Sequence, residues 1–238
     1  LSIHLSFEPV SFGLGVTALW VHKQLEATEI GHPVLHGSYD GIEGADDFHS
    51  QTWRWAIPID EEAWHRGHNL RHHPYTNVAG RDPDMVFGPV RLTEETEHRW
   101  YHYGQLPMTL FTIWPFFGMG MNAHFSGLVD IVRKPEDRDF LPDRSLASIS
   151  GAMKMAFRKY IPYYFKEYIF FPAVAGPFFG KVWVGNWMSE TMRDVYSAAS
   201  IFTGHVGDDL DAFEPGTRAR SRANWYEMQL RSTQNFEV

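Results

Sequence analysis

Histidine is the residue type in this chain whose spacing points to chemistry. His32 and His36 stand four apart in Gly31-His32-Pro33-Val34-Leu35-His36-Gly37, and His68, His72 and His73 follow thirty-two residues later. In a helix, a four-residue spacing brings two imidazoles onto one face, within reach of a single metal ion. His73 is turned by roughly 100° from His72, so the adjacent pair reaches two metals, or one metal and a bridging position. Five imidazoles in two clusters suit Fe, Zn, Cu or Ni. The chain has no cysteine, which excludes disulfides, thiolate zinc sites and iron–sulfur clusters. Any metal must therefore be held by imidazole and carboxylate. Glu29, Asp40, Asp82 and Asp84 lie near enough in sequence to orient a ligand ring through its distal N–H. His65 shares a helical face with His68 by spacing. His4, His22, His98 and His102 read as interfacial or solvated, and His49 and His124 stay unassigned.

The elements that must carry these residues read as helical. Strand alternation is scarce, and turns are marked at 41–47 and 136–143, so the fold class is all-α and a second domain is not evident. No Asp, Glu, Lys or Arg occurs among the 30 residues between Arg99 and Asp130. Within them, Leu106 to Phe125 has the length of a membrane span. Pro9 to His22 and Tyr168 to Gly180 are weaker charge-free candidates, and Val195 to Gly207 reads as an interfacial or buried helix. Tyr and Trp crowd the flanks of these runs, as an aromatic belt would. The mean hydropathy of −0.32 is low for a polytopic protein, and long polar segments between spans account for it. With 29 acidic against 21 basic residues and no basic run, nucleic acid is excluded as a partner.

The two clusters, with His68-Asn69-x-x-His72-His73-x-x-Thr76-Asn77-x-x-Gly80-x-Asp82-x-Asp84, resemble the histidine boxes of the membrane-bound fatty acid desaturase family. The resemblance continues in Phe202-Thr203-Gly204-His205, in Asn224-Trp225-Tyr226-Glu227-Met228-Gln229 and in Thr233-x-Asn235-Phe236, covering nearly the whole chain. It implies polytopic membrane helices under a cytoplasmic helical cap, with a non-haem di-iron site of two Fe ions. It also implies O2 as co-substrate, an external electron donor (cytochrome b5 or ferredoxin), and a fatty acyl substrate on CoA or a membrane lipid. The activity expected is an oxidoreductase that introduces a double bond into an acyl chain. A related di-iron hydroxylase or oxygenase shares the first hydrogen abstraction and is the alternative, as is an inactive membrane protein. The implied metal ligands are His32, His36, His68, His72 and His73, with His205 at an isolated extra position.

Three departures shape these expectations. The family's third box has no counterpart, and there is room for only one helix ahead of His32. Residues 1–238 are therefore expected to be one desaturase domain incomplete at both ends, with at most six ligands and an incomplete centre. Pro33 directly follows His32 and disfavours helical geometry there unless it lies in a first helical turn. Finally, an even number of crossings between His73 and His205 puts the eight Lys and Arg residues of 126–166 on the far side, against the positive-inside rule. A re-entrant hairpin at Pro115, Gly118 and Gly120 would remove that conflict. Glu29, Glu62 and Glu95, each three residues before a histidine, suggest a carboxylate-bridged bundle instead. That arrangement leaves His36, His68, His72 and His73 unexplained.

Overall fold

The computed structural model describes residues 2–87, 90–94, 97–207 and 209–234. Asn235, Phe236 and Glu95 lie outside the described residues. The fold is mainly helical, as expected, and the one sheet among the described residues is a two-stranded hairpin pairing Val86 with Arg91 and Phe87 with Val90.

Five longer helices frame the molecule: α1 (Pro9–Gln24), α2 (Phe117–Ser126), α3 (Leu146–Phe165), α4 (Phe179–His205) and α5 (Arg222–Arg231). Their starts follow from local chemistry. The Glu8 carboxylate accepts from the amides of Val10 and Ser11 ahead of α1, and Pro9 sits where its missing N–H costs nothing. Ser145 and Ser221 cap α3 and α5 in the same way. α2 ends where Gly127 takes φ 90, a conformation that favours glycine. α1 lies along α4, and α2 packs on both α3 and α4. The main core, including Trp55, Ile57, Trp64, Phe117, Met121 and Phe125, lies around the base of the histidine segments.

Of the candidate spans, Pro9 to His22 lies in the unbroken helix α1, whereas the other two are not continuous α-helices. Over Leu106–Phe125 the backbone passes from an α-turn (Gln105–Met108) through a π-turn (Thr109–Ile113) and a 3-10 turn (Trp114–Phe116) into α2. Pro107 and Pro115 cannot donate to a helical ladder, which explains the interruption. From Tyr168 the chain passes from a π-turn (Lys166–Phe170) into an α-turn (Phe171–Val174) at Pro172 and breaks at Ala175, before the 3-10 turn Gly176–Phe178 and α4. No helix among the described residues is long and apolar enough to cross a membrane. Val195 to His205 forms the end of α4 with Ser197 and Ala198 buried and Tyr196 and Ile201 exposed, so this stretch is not a fully buried helix.

α4 has its polarity reversed relative to a water-soluble helix. Asn186, Ser189, Glu190, Arg193, Asp194 and Ser197 are buried, while Trp183, Trp187, Met188, Met192, Tyr196 and Ile201 are exposed. The buried side closes its charges internally. Lys23 Nζ lies 2.8 Å from Glu167 and 3.4 Å from Glu190, and Arg193 pairs with Asp194 at 2.5 Å. Buried charges are tolerated only when paired in this way.

Asp60 joins the second histidine segment to α3. It caps that segment by accepting from the Ala63 amide at 3.0 Å, and it binds Arg158 through Nε at 2.5 Å and Nη2 at 2.7 Å. Replacing Asp60 by alanine is expected to lower stability by about 2 kcal/mol, combining a lost cap with a lost pair to a half-exposed arginine. Thermal unfolding will measure it, and an unchanged melting temperature would refute this role.

Candidate metal centre

The second histidine box lies on a π-helical turn, and the first lies on the short α-turn that follows one. α1 widens into a π-turn over Leu25–Gly31 and then closes into the turn His32–Leu35. Pro33 lies in the first turn of that piece, and the His36 amide still bonds to the His32 carbonyl at 3.2 Å. The proline is therefore accommodated. The second box begins as Glu61–Trp64 and widens over His65–His72, so that the His73 amide donates to the His68 carbonyl five residues back. π-turns of this kind recur where a helix must redirect side chains.

The widening changes which imidazoles meet. His68 and His73, five residues apart, bring their Nε2 atoms to 3.2 Å. His73 Nε2 lies 3.3 Å from His36 Nε2, which lies 3.2 Å from His32 Nε2, which lies 3.2 Å from His68 Nε2. Four ring nitrogens thus form a closed loop. The ligand nitrogens of His32, His36 and His68 lie within 4.8 Å of one another, close enough to share one ion, and His73 stands beside two of them. A neutral imidazole Nε2 either carries the proton or offers its lone pair, never both, so a loop joined through Nε2 alone cannot be closed by one-way hydrogen bonds. The residues therefore fit a cation between them.

His72 is turned away from that loop. Its Nδ1 is 3.0 Å from both oxygens of Asp82, and its ring meets His205 edge-on at 4.9 Å. Asp84 Oδ2 lies 3.4 Å from His68 Nδ1 and 3.5 Å from His72 Nδ1. Of the four acidic residues considered from the sequence, Asp82 and Asp84 do contact the rings of the second box. Asp40 instead binds Ser50 through backbone and hydroxyl, and Glu29 accepts from Thr28. Glu62 pairs with Arg158 rather than joining the imidazoles.

The electrostatics separate the rings into two kinds. Burial, reinforced by neighbouring imidazoles, pushes His36 and His73 down to about 4. Burial outweighs Asp84 and pushes His68 down to about 3, and it lowers His32 as well. These rings stay neutral, with free lone pairs, throughout the neutral pH range. Burial also acts against a charged His72, but Asp84 and Asp82 outweigh it and raise that ring to about 9.

All six histidines singled out from the sequence come together. The aromatic wall behind them carried no signal in the sequence beyond its Trp content. Trp64 stacks on His68 at 4.5 Å and meets His36 edge-on at 5.1 Å. Asn69 Nδ2 donates to the Leu35 carbonyl at 3.0 Å and ties the two boxes together. His124 lies behind Asp84, with Nε2 3.1 Å from the Pro83 carbonyl, and His65 lines a neighbouring cavity of about 910 Å³ with Arg54 and Arg158.

Changing Asp82 to asparagine is expected to weaken metal binding about 10–100-fold, because an amide cannot hold the His72 tautomer as a carboxylate does. Competition titration with a chelating dye will measure it, and unchanged affinity would exclude Asp82 from that part.

A helical frame thus holds clustered imidazoles backed by carboxylates, a set of groups that could hold a metal ion, and comparison with known proteins adds sequence likenesses. The chain is 29% identical over 230 residues to an NADPH-dependent stearoyl-CoA 9-desaturase of Mycobacterium tuberculosis, covering 94% of this chain and 51% of that protein. It is 25% identical over 244 residues to an sn-1 linoleoyl-lipid 6-desaturase of a Synechocystis strain, covering 97% of this chain and 63% of that protein. It is also 25% identical over 237 residues to an acyl-lipid (8-3)-desaturase of Physcomitrium patens, covering 92% and 45%. The chain spans about half the length of the curated relatives it matches. No family model and no solved structure matches it. By sequence, the chain is a homologue of the fatty acid desaturases.

Proposed function

We propose that this protein desaturates fatty acyl chains, consuming O2 at a histidine-ligated iron centre. The observation that carries the reading is the closed loop of four Nε2 atoms at 3.2–3.3 Å. His32, His36, His68 and His73 would hold one ion, and His72 with His205 would contribute to a second. Bound there, iron would supply the O2 activation needed to remove hydrogen from an unactivated methylene. In balance, a CH2–CH2 unit gives up two hydrogens and becomes CH=CH. O2 takes those two hydrogens with two electrons and two protons and leaves as two waters. The electrons come from an external donor of the cytochrome b5 or ferredoxin kind.

The chain's own residues prepare and protect that chemistry. Asp82 and Asp84 fix His72 and His68 through Nδ1, leaving each Nε2 directed away from its carboxylate. Trp64 covers the loop on one side and limits access of water.

The acyl substrate, on CoA or on a membrane lipid, would be met from the apolar surface. Val10 and Leu14 of α1, Ile161 and Phe165 of α3 and Trp183 and Trp187 of α4 are exposed together with the reversed polarity of α4. Water-soluble monomers rarely expose so much apolar surface, which supports seating in a bilayer; the histidines would then face the cytoplasm, as the likeness to desaturases implies.

Expression of the intact protein in a host lacking the activity, followed by gas chromatography of its fatty acids, tests the reading. A new double bond is expected, and it should vanish with iron content in the His72→Ala and His73→Ala variants. A hydroxylated product in its place would overturn desaturation, and unchanged iron in those variants would overturn the ligand assignment.

A further inference from the structure

Asn77 holds an unusual position between the second histidine box and His205. Among the described residues it is the one non-glycine residue with a left-handed backbone, φ 57, and it is buried. Asparagine tolerates that conformation better than most residues. The turn aims its side-chain amide at three carbonyls: His205 at 3.0 Å, Asp211 at 3.2 Å and Ser232 at 3.3 Å. His205 is the last residue of α4, and Ser232 directly follows α5. Carbonyls at helix C-termini lack an intrahelical donor, so one side chain closes two helix ends at once.

The backbone of Asn77 faces the other way. Its N–H donates to Asp82 Oδ2 at 2.8 Å, on the carboxylate that holds His72 Nδ1. Its carbonyl accepts from Phe213 at 2.8 Å, and the Ala79 amide returns a bond to Phe213 at 2.9 Å. One residue therefore connects the carboxylate behind His72 to the backbone of His205. The four-nitrogen loop of His32, His36, His68 and His73 makes no hydrogen bond to it.

We infer that Asn77 is a positioning residue that sets His205 against His72, and so decides whether the second metal position forms, independently of the first. The inference rests on the metal reading proposed above. Glycine at 77 keeps the left-handed backbone without steric cost and deletes the amide. Aspartate keeps the size and the backbone preference but presents an acceptor to three carbonyls. Gln229 is the control. Its Oε1 accepts from Thr76 Oγ1 at 3.0 Å and ties α5 to the same loop without touching His205 or Asp82.

The test is Co(II) loading of the purified intact protein, read by metal analysis and the visible spectrum. Two cobalt equivalents are expected for the wild type and for Gln229→Ala. One is expected for His205→Ala, Asn77→Gly and Asn77→Asp, with the same spectrum in all three. The double variant Asn77→Gly/His205→Ala should lose nothing more. An Asn77 variant that keeps both equivalents, or loses both, overturns the inference, as does loss of the second equivalent in Gln229→Ala. Wild-type protein that takes up no cobalt overturns the metal reading itself, and this inference with it.

Discussion

Replacing His68 by alanine will remove the metal-dependent stabilisation of the protein. His68 supplies two of the four sides of the nitrogen loop, toward His32 and toward His73, each at 3.2 Å. It is also the ring on which Trp64 stacks, and its Nδ1 faces Asp84 at 3.4 Å. Without it the remaining three nitrogens no longer enclose a point, and affinity should fall by more than the ~100-fold that loss of a supporting contact reaches. At a metal concentration 100 times the dissociation constant, the wild type gains ~2.7 kcal/mol from binding, and the variant should gain almost none. Melting curves with and without Fe(II) or Co(II) read this directly. The metal-free melt should change much less, because the ring that loses Trp64 contact also leaves a crowd of lone pairs that no proton relieves near neutral pH. An equal metal-induced shift in the variant would remove His68 from the site.

The second large effect is expected at Gly67, where the fold leaves no room for a methyl group. A Cβ there would lie 2.2 Å from Phe125 Cδ1 and 2.5 Å from Cε1. The Phe125 ring is fully buried, with Phe140 edge-on at 5.9 Å. It cannot swing aside as a flexible chain end would. Gly67→Ala should therefore cost ~3 kcal/mol, the upper end of overpacking penalties. The strain falls on the π-turn itself, so His68 and His73 should separate and metal uptake should fall together with the melting temperature. Gly31, whose Cβ would lie 2.1 Å from Trp55 Nε1, marks the equivalent close approach in the first box. A Gly67→Ala protein with unaltered melting and metal content would show that Phe125 repacks freely.

Some of this site was legible from residue order. The clustering of the six imidazoles was, because imidazoles repeated at short intervals without cysteine have few other uses, and five of the six lie in two compact clusters. So were the neighbouring carboxylates as a group, though of the four candidates only Asp82 and Asp84 contact the rings of the second box. Asp40 and Glu29 are just as close in sequence, and turn geometry spends them on Ser50 and Thr28 instead. The breaks in the helices along the apolar runs were not legible. Apolar composition reports that a surface avoids water, whereas a continuous helix also needs an unbroken ladder of donors, which Pro107, Pro115, Pro172 and Pro177 interrupt.

Sequence by itself determined the helical class, the likeness to desaturases and the identity of the six imidazoles. Tertiary structure alone decided how they divide. The four-residue spacing does stack His68 on His72 at 5.0 Å, but the π-turn also brings His73 to His68 Nε2 and sets His72 against Asp82 and His205. The register of a helix depends on what packs against it, here Phe125 on Gly67 and Trp55 on Gly31. These contacts join residues dozens of positions apart, so the spacing of residues along the chain does not encode them.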